Sequence, residues 1–394
     1  WPQWRGPHRD ARATDFKAPK TWPKDLTKKW AEKVGDGVAT PALVGDKLYV
    51  FTRQGDDEVV SCRNAADGKE VWSDKYPSPS FRGPDSSFLG PRSSPTVAEG
   101  KVVTLGADGI LSCYDTSGKK LWRKEDYKGS VPRFHVASSP IVVDGLCVAQ
   151  LGGGQGGVTV AYDLATGEQK WKAGSDSPAY ASPVLVSLGD TKAVIVETEG
   201  SIFALNVADG KQLWKIAYPV TGRMGYNAST PMVEGETLIY GGSSRGTKAV
   251  KLEKKDGGVT AKDLWSNMDN SVQFNTPVLK GGLIYGLNNS DKLFCINAES
   301  GKTLWSAAIG AGGGGGGGGR GMGRAGYGSL VDAGSVLLAL TPAGQLVVFE
   351  PSDKEFKEVA KYKVADGGTY AYPVVSGNRI FIKDRDSLTL WTVE

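Results

Sequence analysis

One pattern returns along this chain: a β-rich run, a tight turn carrying Gly, a polar pair, then an apolar residue and Trp. It reads VVSCRNAADGKEVW at 59–72, ILSCYDTSGKKLW at 110–122, VTVAYDLATGEQKW at 158–171, IFALNVADGKQLW at 202–214 and LFCINAESGKTLW at 293–305, with a degenerate copy over 249–265. Upstream of each copy stands a small residue followed by Pro: Thr40-Pro41, Ser94-Pro95, Ser139-Pro140, Ser182-Pro183, Thr230-Pro231 and Thr276-Pro277, with weaker versions at Ser329-Leu330 and Tyr372-Pro373. Successive units lie roughly 47 residues apart, a period that belongs to blades or arrays.

Each unit holds four strand candidates, which in the first are ATPALV, KLYVFT, EVVSCRN and EVWSDK. Their apolar–polar alternation over four to six positions is that of strands. The 54 Gly in 394 residues, about twice ordinary usage, supply the positive φ of the tight turns between them. Four-stranded antiparallel units in series predict an all-β fold, an eight-bladed β-propeller. The eighth unit runs through RIFIKD and SLTLW and stops one strand short, while LTKKWAE at 26–32 matches the missing outer strand. The expected organisation is a leader over 1–21 and a single propeller over 22–394, its ring closed by residues 22–33.

Composition narrows the function. A net charge of +4 spread evenly along the chain is too mild for a dedicated nucleic-acid binder, and no apolar run approaches the ~18 residues of a membrane span. Cys62, Cys113, Cys147 and Cys295 lie far apart with almost no His nearby, which speaks against a zinc site. The chain starts at Trp1 and not at Met, which is read as the trace of a cleaved export signal.

The units resemble the pyrroloquinoline-quinone (PQQ) repeat family, whose blades share the ending A-x-[DT]-G-[KE]-x-x-W. The leader WPQWRGPHRD is also similar to the start of many exported bacterial propellers of that kind. The family has two branches: PQQ-dependent alcohol and sugar dehydrogenases, and non-enzymatic propellers that include the lipoprotein of the outer-membrane β-barrel assembly machinery. The resemblance implies the fold and a periplasmic or envelope-associated place. It does not by itself imply PQQ. Many enzymes of the family clamp PQQ against a disulfide of adjacent Cys and use a calcium ion held by Glu, Asn and Asp near a catalytic Asp. This chain has no adjacent Cys pair and no motif that gathers such ligands. The expectation is therefore a non-catalytic, monomeric binding scaffold for a protein or glycan, with no cofactor. The alternative is a PQQ- or metal-dependent oxidoreductase.

The repeat tryptophans Trp72, Trp122, Trp171, Trp214, Trp265 and Trp305, with Trp30, could be stacking platforms, but regular spacing on outer strands favours packing between blades. The segments just before each innermost strand rim one mouth of the channel, where ligands of such folds normally sit. They carry Arg82, Arg92, Arg133, Phe134, His135, Tyr180, Arg223, Tyr226, Asn227, Gln273, Phe274, Asn275, Arg324, Tyr327, Tyr370 and Tyr372. Guanidinium forks suit planar anions and aromatic faces suit sugar rings or quinones, so these residues form the expected ligand site. In the oxidoreductase reading Arg223 or Arg324 would hold the quinone carboxylates. His135 has no orienting partner in the sequence and reads as structural. DRD at 384–386 and NNSD at 288–291 read as hairpin turns and not as cation ligands. The Gly-rich tract at 311–328 reads as a mobile loop, with a lid carrying Arg320 and Arg324 as one use for it and Arg-Gly RNA binding as a weaker one.

Overall fold

In the computed structural model, which describes residues 1–78, 89–154, 156–222, 225–255, 258–290, 292–309 and 327–394, the repeats become eight four-stranded antiparallel sheets arranged as an eight-bladed propeller. None of the described residues is helical, so no helix is long and apolar enough to cross a membrane. Seven blades are contiguous in sequence, from Ala42–Val44, Lys47–Gln54, Asp57–Asn64 and Glu70–Pro77 in blade 1 to Ser329–Asp332, Leu337–Leu340, Gln345–Glu350 and Lys357–Lys363 in blade 7. Blade 8 takes three strands from the C-terminal end, and its outer strand is Thr27–Lys33, antiparallel to Ser387–Thr392.

The repeat motif explains how neighbouring blades adhere. The indole Nε1 of six of the seven outer-strand Trp donates to a carbonyl in the turn of the next blade: Trp30 to Ala65, Trp72 to Thr116, Trp122 to Leu164, Trp171 to Val207, Trp265 to Ala298 and Trp305 to Ser352, at 2.9–3.2 Å. The turn glycine lies directly under that indole. A Cβ on Gly118 (φ +95°) would stand 2.6 Å from Trp72, and one on Gly210 (φ +72°) 2.6 Å from Trp171, so the glycines are required by both space and backbone angle. On its own blade each Trp except Trp30, which pairs with Leu390, faces a small residue: Cys62, Cys113, Ala161, Ala204, Ala249 or Cys295. Three of the four cysteines are thus small apolar fillers under an indole. All four are buried thiols without a disulfide, and burial pushes Cys113 and Cys295 up to about 12.

Two junctions depart from this scheme. Blade 5 replaces the motif turn with the long hairpin Thr247–Lys255 and Gly258–Asn267, and Trp214 of blade 4 finds no acceptor for its Nε1 among the described residues. In blade 7, Ala360 pairs with Val348 at the register where Trp305 pairs with Cys295, so the indole is missing there. The N-terminal segment fills that place. Phe16 stacks on Trp22 (6.4 Å), Trp22 lies 6.2 Å from Tyr362, and Tyr362 Oη donates to Pro23 O (2.7 Å).

Strand direction divides the ring into two faces. Inner strands start at one face, which also carries the connections between blades and is called the rim face here. The first and third turns of each blade lie on the opposite, turn face, where Ala65 N bonds Asp46 O and Leu164 N bonds Gly145 O. Residues 11–17 cross the turn-face ends of blades 7 and 8. Ala13 N donates to Asp332 O (2.8 Å), Asp332 N to Ala11 O (2.9 Å) and Lys17 N to Gly377 O (2.6 Å). From there the chain enters the channel in one direction and climbs the outside of blade 8 in the other.

Candidate functional site

On the rim face, two to five residues ahead of each small-residue–Pro step, the connections of successive blades each present an aromatic ring. Their centroids form one continuous arc: Phe134 to Tyr180 (6.0 Å), Tyr180 to Tyr226 (6.5 Å), Tyr226 to Phe274 (5.0 Å, 11° between planes), Phe274 to Tyr327 (4.0 Å, 19°) and Tyr327 to Tyr370 (5.2 Å). The spacings are those of offset-stacked and edge-to-face pairs. All six rings are half-buried, so the arc offers ring surface to the mouth while its members support one another. Polar contacts fix two of them: Phe134 N donates to Tyr180 Oη (3.0 Å) and Gln273 Nε2 to Tyr226 Oη (2.5 Å).

At the Phe134 end the arc meets cationic groups. The exposed Arg133 guanidinium lies 5.4 Å from the Phe134 ring centroid. His135 stands in the left-handed region (φ +63°), its N bonded to Pro132 O, and burial together with the nearby Arg92 charge lowers its pKa to about 4. The imidazole is therefore neutral at pH 7. It adds no charge to the rim.

Three further residues expected at the site have a different task. Asn227 is buried, with Nδ2 donating to Thr198 O (2.8 Å) and Tyr218 O (3.1 Å) and with Arg245 bonded to its Oδ1. Asn275 donates to Leu287 O (2.8 Å), and the buried Tyr372 accepts from Arg5 Nη1 (2.9 Å) and Thr276 N (3.4 Å). These side chains brace the connections that carry the rings. Arg82, Arg223 and Arg324, with Arg320 and most of the Gly-rich tract, lie outside the described residues.

Beneath the arc the small residue of each step acquires a role. Thr40 N donates to Ser94 Oγ, Ser94 N to Ser139 Oγ, Ser139 N to Ser182 Oγ, Ser182 N to Thr230 Oγ1 and Thr230 N to Thr276 Oγ1, all at 2.9–3.1 Å. Thr276 N reaches Tyr372 Oη, and Tyr372 N returns to Thr40 Oγ1 (2.9 Å), which closes a hydrogen-bonded belt around the channel. The signal for it was in the sequence, since the steps of blades 1 to 6 each have a Ser or Thr before the Pro, whereas the belt passes from Thr276 of blade 6 to Tyr372 of blade 8. Only the three-dimensional closure shows that neighbouring steps bond to one another.

Two leader residues absent from the sequence-based set sit under this belt. Arg5 and Arg9 are 1% and 4% exposed. Arg5 donates to Thr276 O (2.5 Å), Pro277 O (2.7 Å) and Tyr372 Oη (2.9 Å); Arg9 donates to Ser139 O (3.0 Å), Pro183 O (2.9 Å) and Pro140 O. Burial pulls Arg9 down to about 9, which leaves it charged at pH 7. Neither pairs with a carboxylate among the described residues, so the blind end of the cup carries two positive charges held by neutral carbonyls.

The described residues do not match a calcium–PQQ site of the clamped type. The cysteines are separate and buried under indoles or beside Arg9, and among the described residues no group of three or more His, Cys, Asp or Glu is placed to hold a metal. The two hairpins with possible oxygen ligands spend those oxygens on their own turns: Asp384 Oδ1 accepts from Asp386 N and Ser387 N, and Asn288 Oδ1 from Ser290 N and Lys292 N.

Comparison with known proteins agrees with this architecture. A family model described as outer membrane protein assembly factor BamB matches residues 10–187 and 154–307. The protein of that name from Yersinia pestis is 26% identical over 301 residues, covering 71% of this chain and 70% of its own. Among solved structures, BamB from Moraxella catarrhalis superposes with a TM-score of 0.64 at 15% identity, over 93% of this chain and 97% of its own. The quinohemoprotein alcohol dehydrogenase of Comamonas testosteroni superposes with a TM-score of 0.71 at 14% identity, over 100% and 80%. Identities this low make both structures witnesses to the fold alone, whereas the family match covers most of the sequence. The chain belongs to the PQQ-like β-propeller family of the outer membrane protein assembly factor BamB.

Proposed function

We propose that this chain is a non-catalytic scaffold of the bacterial envelope, working in outer-membrane protein assembly and holding a protein partner against its rim face. The family match and the relatives that carry the assembly-factor name support the process. The observation that carries the site is the arc of six rings from Phe134 to Tyr370. Stacked, rigid rings lose little side-chain entropy on contact and dominate binding energy when a partner covers them. Arg133 and the charges of Arg5 and Arg9 below give the mouth a positive field, which favours a partner segment with carboxylates beside its apolar residues.

A cell-based test separates this reading from its rivals. In a host lacking its own copy, the wild-type chain is expected to restore the level of folded outer-membrane β-barrels. The double variant Tyr226→Ala/Phe274→Ala should fail to do so at equal abundance. Full restoration by that variant would remove the rim from the function, and purified glycans that bind the wild type and not the variant would redirect the reading to sugars.

The oxidoreductase alternative predicts that PQQ with Ca²⁺ quenches the fluorescence of the 11 Trp saturably and stoichiometrically. The scaffold reading predicts a flat titration.

A further inference from the structure

The N-terminal leader is held by the ring in a way that few peptide segments are. Trp1 O accepts from Leu43 N (2.7 Å) and Pro2 O from Val97 N (2.8 Å), on the inner strands of blades 1 and 2. With Arg5, Arg9, Ala11–Ala13 and Lys17 it touches blades 1, 2, 3, 4, 6, 7 and 8. All five N–H donors of Arg9 are used: Nε on Gln3 Oε1, Nη1 on Ser139 O and Pro183 O, Nη2 on Pro140 O and Thr96 Oγ1. Arg5 lies against the rings of Trp4 and Tyr372, 5.5 and 5.3 Å from their centroids, and grips two consecutive carbonyls.

A second observation concerns the backbone of the leader. Arg5, Arg9 and Ala11 all stand at φ near +60°, a region that side-chain-bearing residues avoid and keep only where their surroundings over-determine it. The backbone folds into hydrogen-bonded turns (Gly6 N to Gln3 O at 3.0 Å, Arg9 N to Gly6 O at 3.3 Å and Ala11 N to Arg5 O at 2.8 Å), and the positive φ values within them let two guanidiniums point into one ring of carbonyls.

We propose that the channel below the belt is a guanidinium receptor: a binding site for a turn-forming peptide with arginines at i and i+4, occupied in cis by the chain's own residues 1–13. The carbonyls of the small-residue–Pro steps are its ligands. They are neutral, so they accept a cation without needing a carboxylate. They are arranged around the channel, so a planar fork with five donors fills them and a Lys ammonium with three does not. The receptor is separate from the rim, and it stands whether or not the rim holds a protein.

The test uses the full chain with a site-specific protease sequence inserted between Lys20 and Thr21, both exposed. After cleavage of the folded protein, the 1–20 fragment is expected to remain with the body on size exclusion. A fluorescein-labelled synthetic 1–20 peptide should exchange into the site, an Arg9→Lys peptide should compete at least tenfold less well, and an Arg5→Met/Arg9→Met peptide should not compete. Release of the fragment from a body whose circular dichroism is unchanged would overturn the proposal, as would equal competition by the three peptides. A cleaved body that aggregates is covered by the uncut Arg9→Lys chain. There the amides of Leu43 and Val97 should exchange hydrogen at least tenfold faster than in the wild type, and unchanged protection would refute the receptor.

Discussion

The two ends of the channel are built from the same repeats and have opposite chemistry. On the turn-face side the leader occupies the axis, its backbone pairs with inner strands, and all five N–H groups of the Arg9 guanidinium have acceptors within the chain. On the rim side, the rings from Phe134 to Tyr370 support one another by stacked, tilted and edge-to-face contacts and remain half-exposed. An end whose hydrogen bonds are completed internally contributes to stability. An end that keeps rigid aromatic surface in water has that surface available for another molecule. The propeller is thus a cup whose base is occupied by the leader, with Arg5 and Arg9 bonded across the channel.

The largest effect should come from the base. Arg5→Met/Arg9→Met removes the guanidinium donors from four main-chain carbonyls, those of Ser139, Pro183, Thr276 and Pro277, while Pro140 O keeps Thr96 Oγ1; at ~1–3 kcal/mol per unsatisfied buried group the expected loss of stability is about 3 kcal/mol or more, measured by urea denaturation. A loss below about 1 kcal/mol would show the base to be ornamental. Next comes the seam between blades. Gly118→Ala combines a φ of +95° with a Cβ 2.6 Å from Trp72, and should cost about 2–3 kcal/mol. The same change at Gly45, whose φ is +59° but whose Cβ would meet nothing within 4 Å, should cost only the backbone part, about 1 kcal/mol. Equal costs would deny the indole its role.

The rim should respond in the reverse manner. Tyr226→Ala/Phe274→Ala is expected to change stability less than the base variant while weakening partner binding tenfold or more, about 1.4 kcal/mol. A rim variant that unfolds the protein and a base variant that abolishes binding without unfolding would together invert the comparison.

The smallest effect concerns His135. Its folded-state pKa is about 4 against 6.5 ordinarily, through burial and the Arg92 charge. Between those values the unfolded chain takes up a proton that the folded chain does not. Stability therefore falls as the pH is lowered from 6.5 to 4. His135→Asn, a residue that tolerates φ +63°, should flatten that part of the melting-temperature profile.

Much of this was legible in the sequence, for a definite reason. The Trp–Gly seam is local and repeated, so its period reports the blade count, and the apolar-x-x-x-Trp ending of LTKKWAE reports the closing strand. The rings of the rim were legible too, because each precedes a small-residue–Pro step. The base was not. The leader has no period, and its fit depends on carbonyls, which every residue possesses and no residue type advertises. Asn227, Asn275 and Tyr372 were legible as rim residues without their bracing role, since a polar side chain looks the same in sequence whether it faces a ligand or a backbone carbonyl.

The central claim, that the partner meets the rim and not the turn face, is tested most directly by site-specific photo-crosslinking in cells, with p-benzoylphenylalanine placed at Tyr226 on the rim or at the exposed Asp46 on the turn face. A discrete adduct with an envelope protein from position 226 and none from position 46 is the expected result. Adducts from position 46 and none from 226 would contradict it.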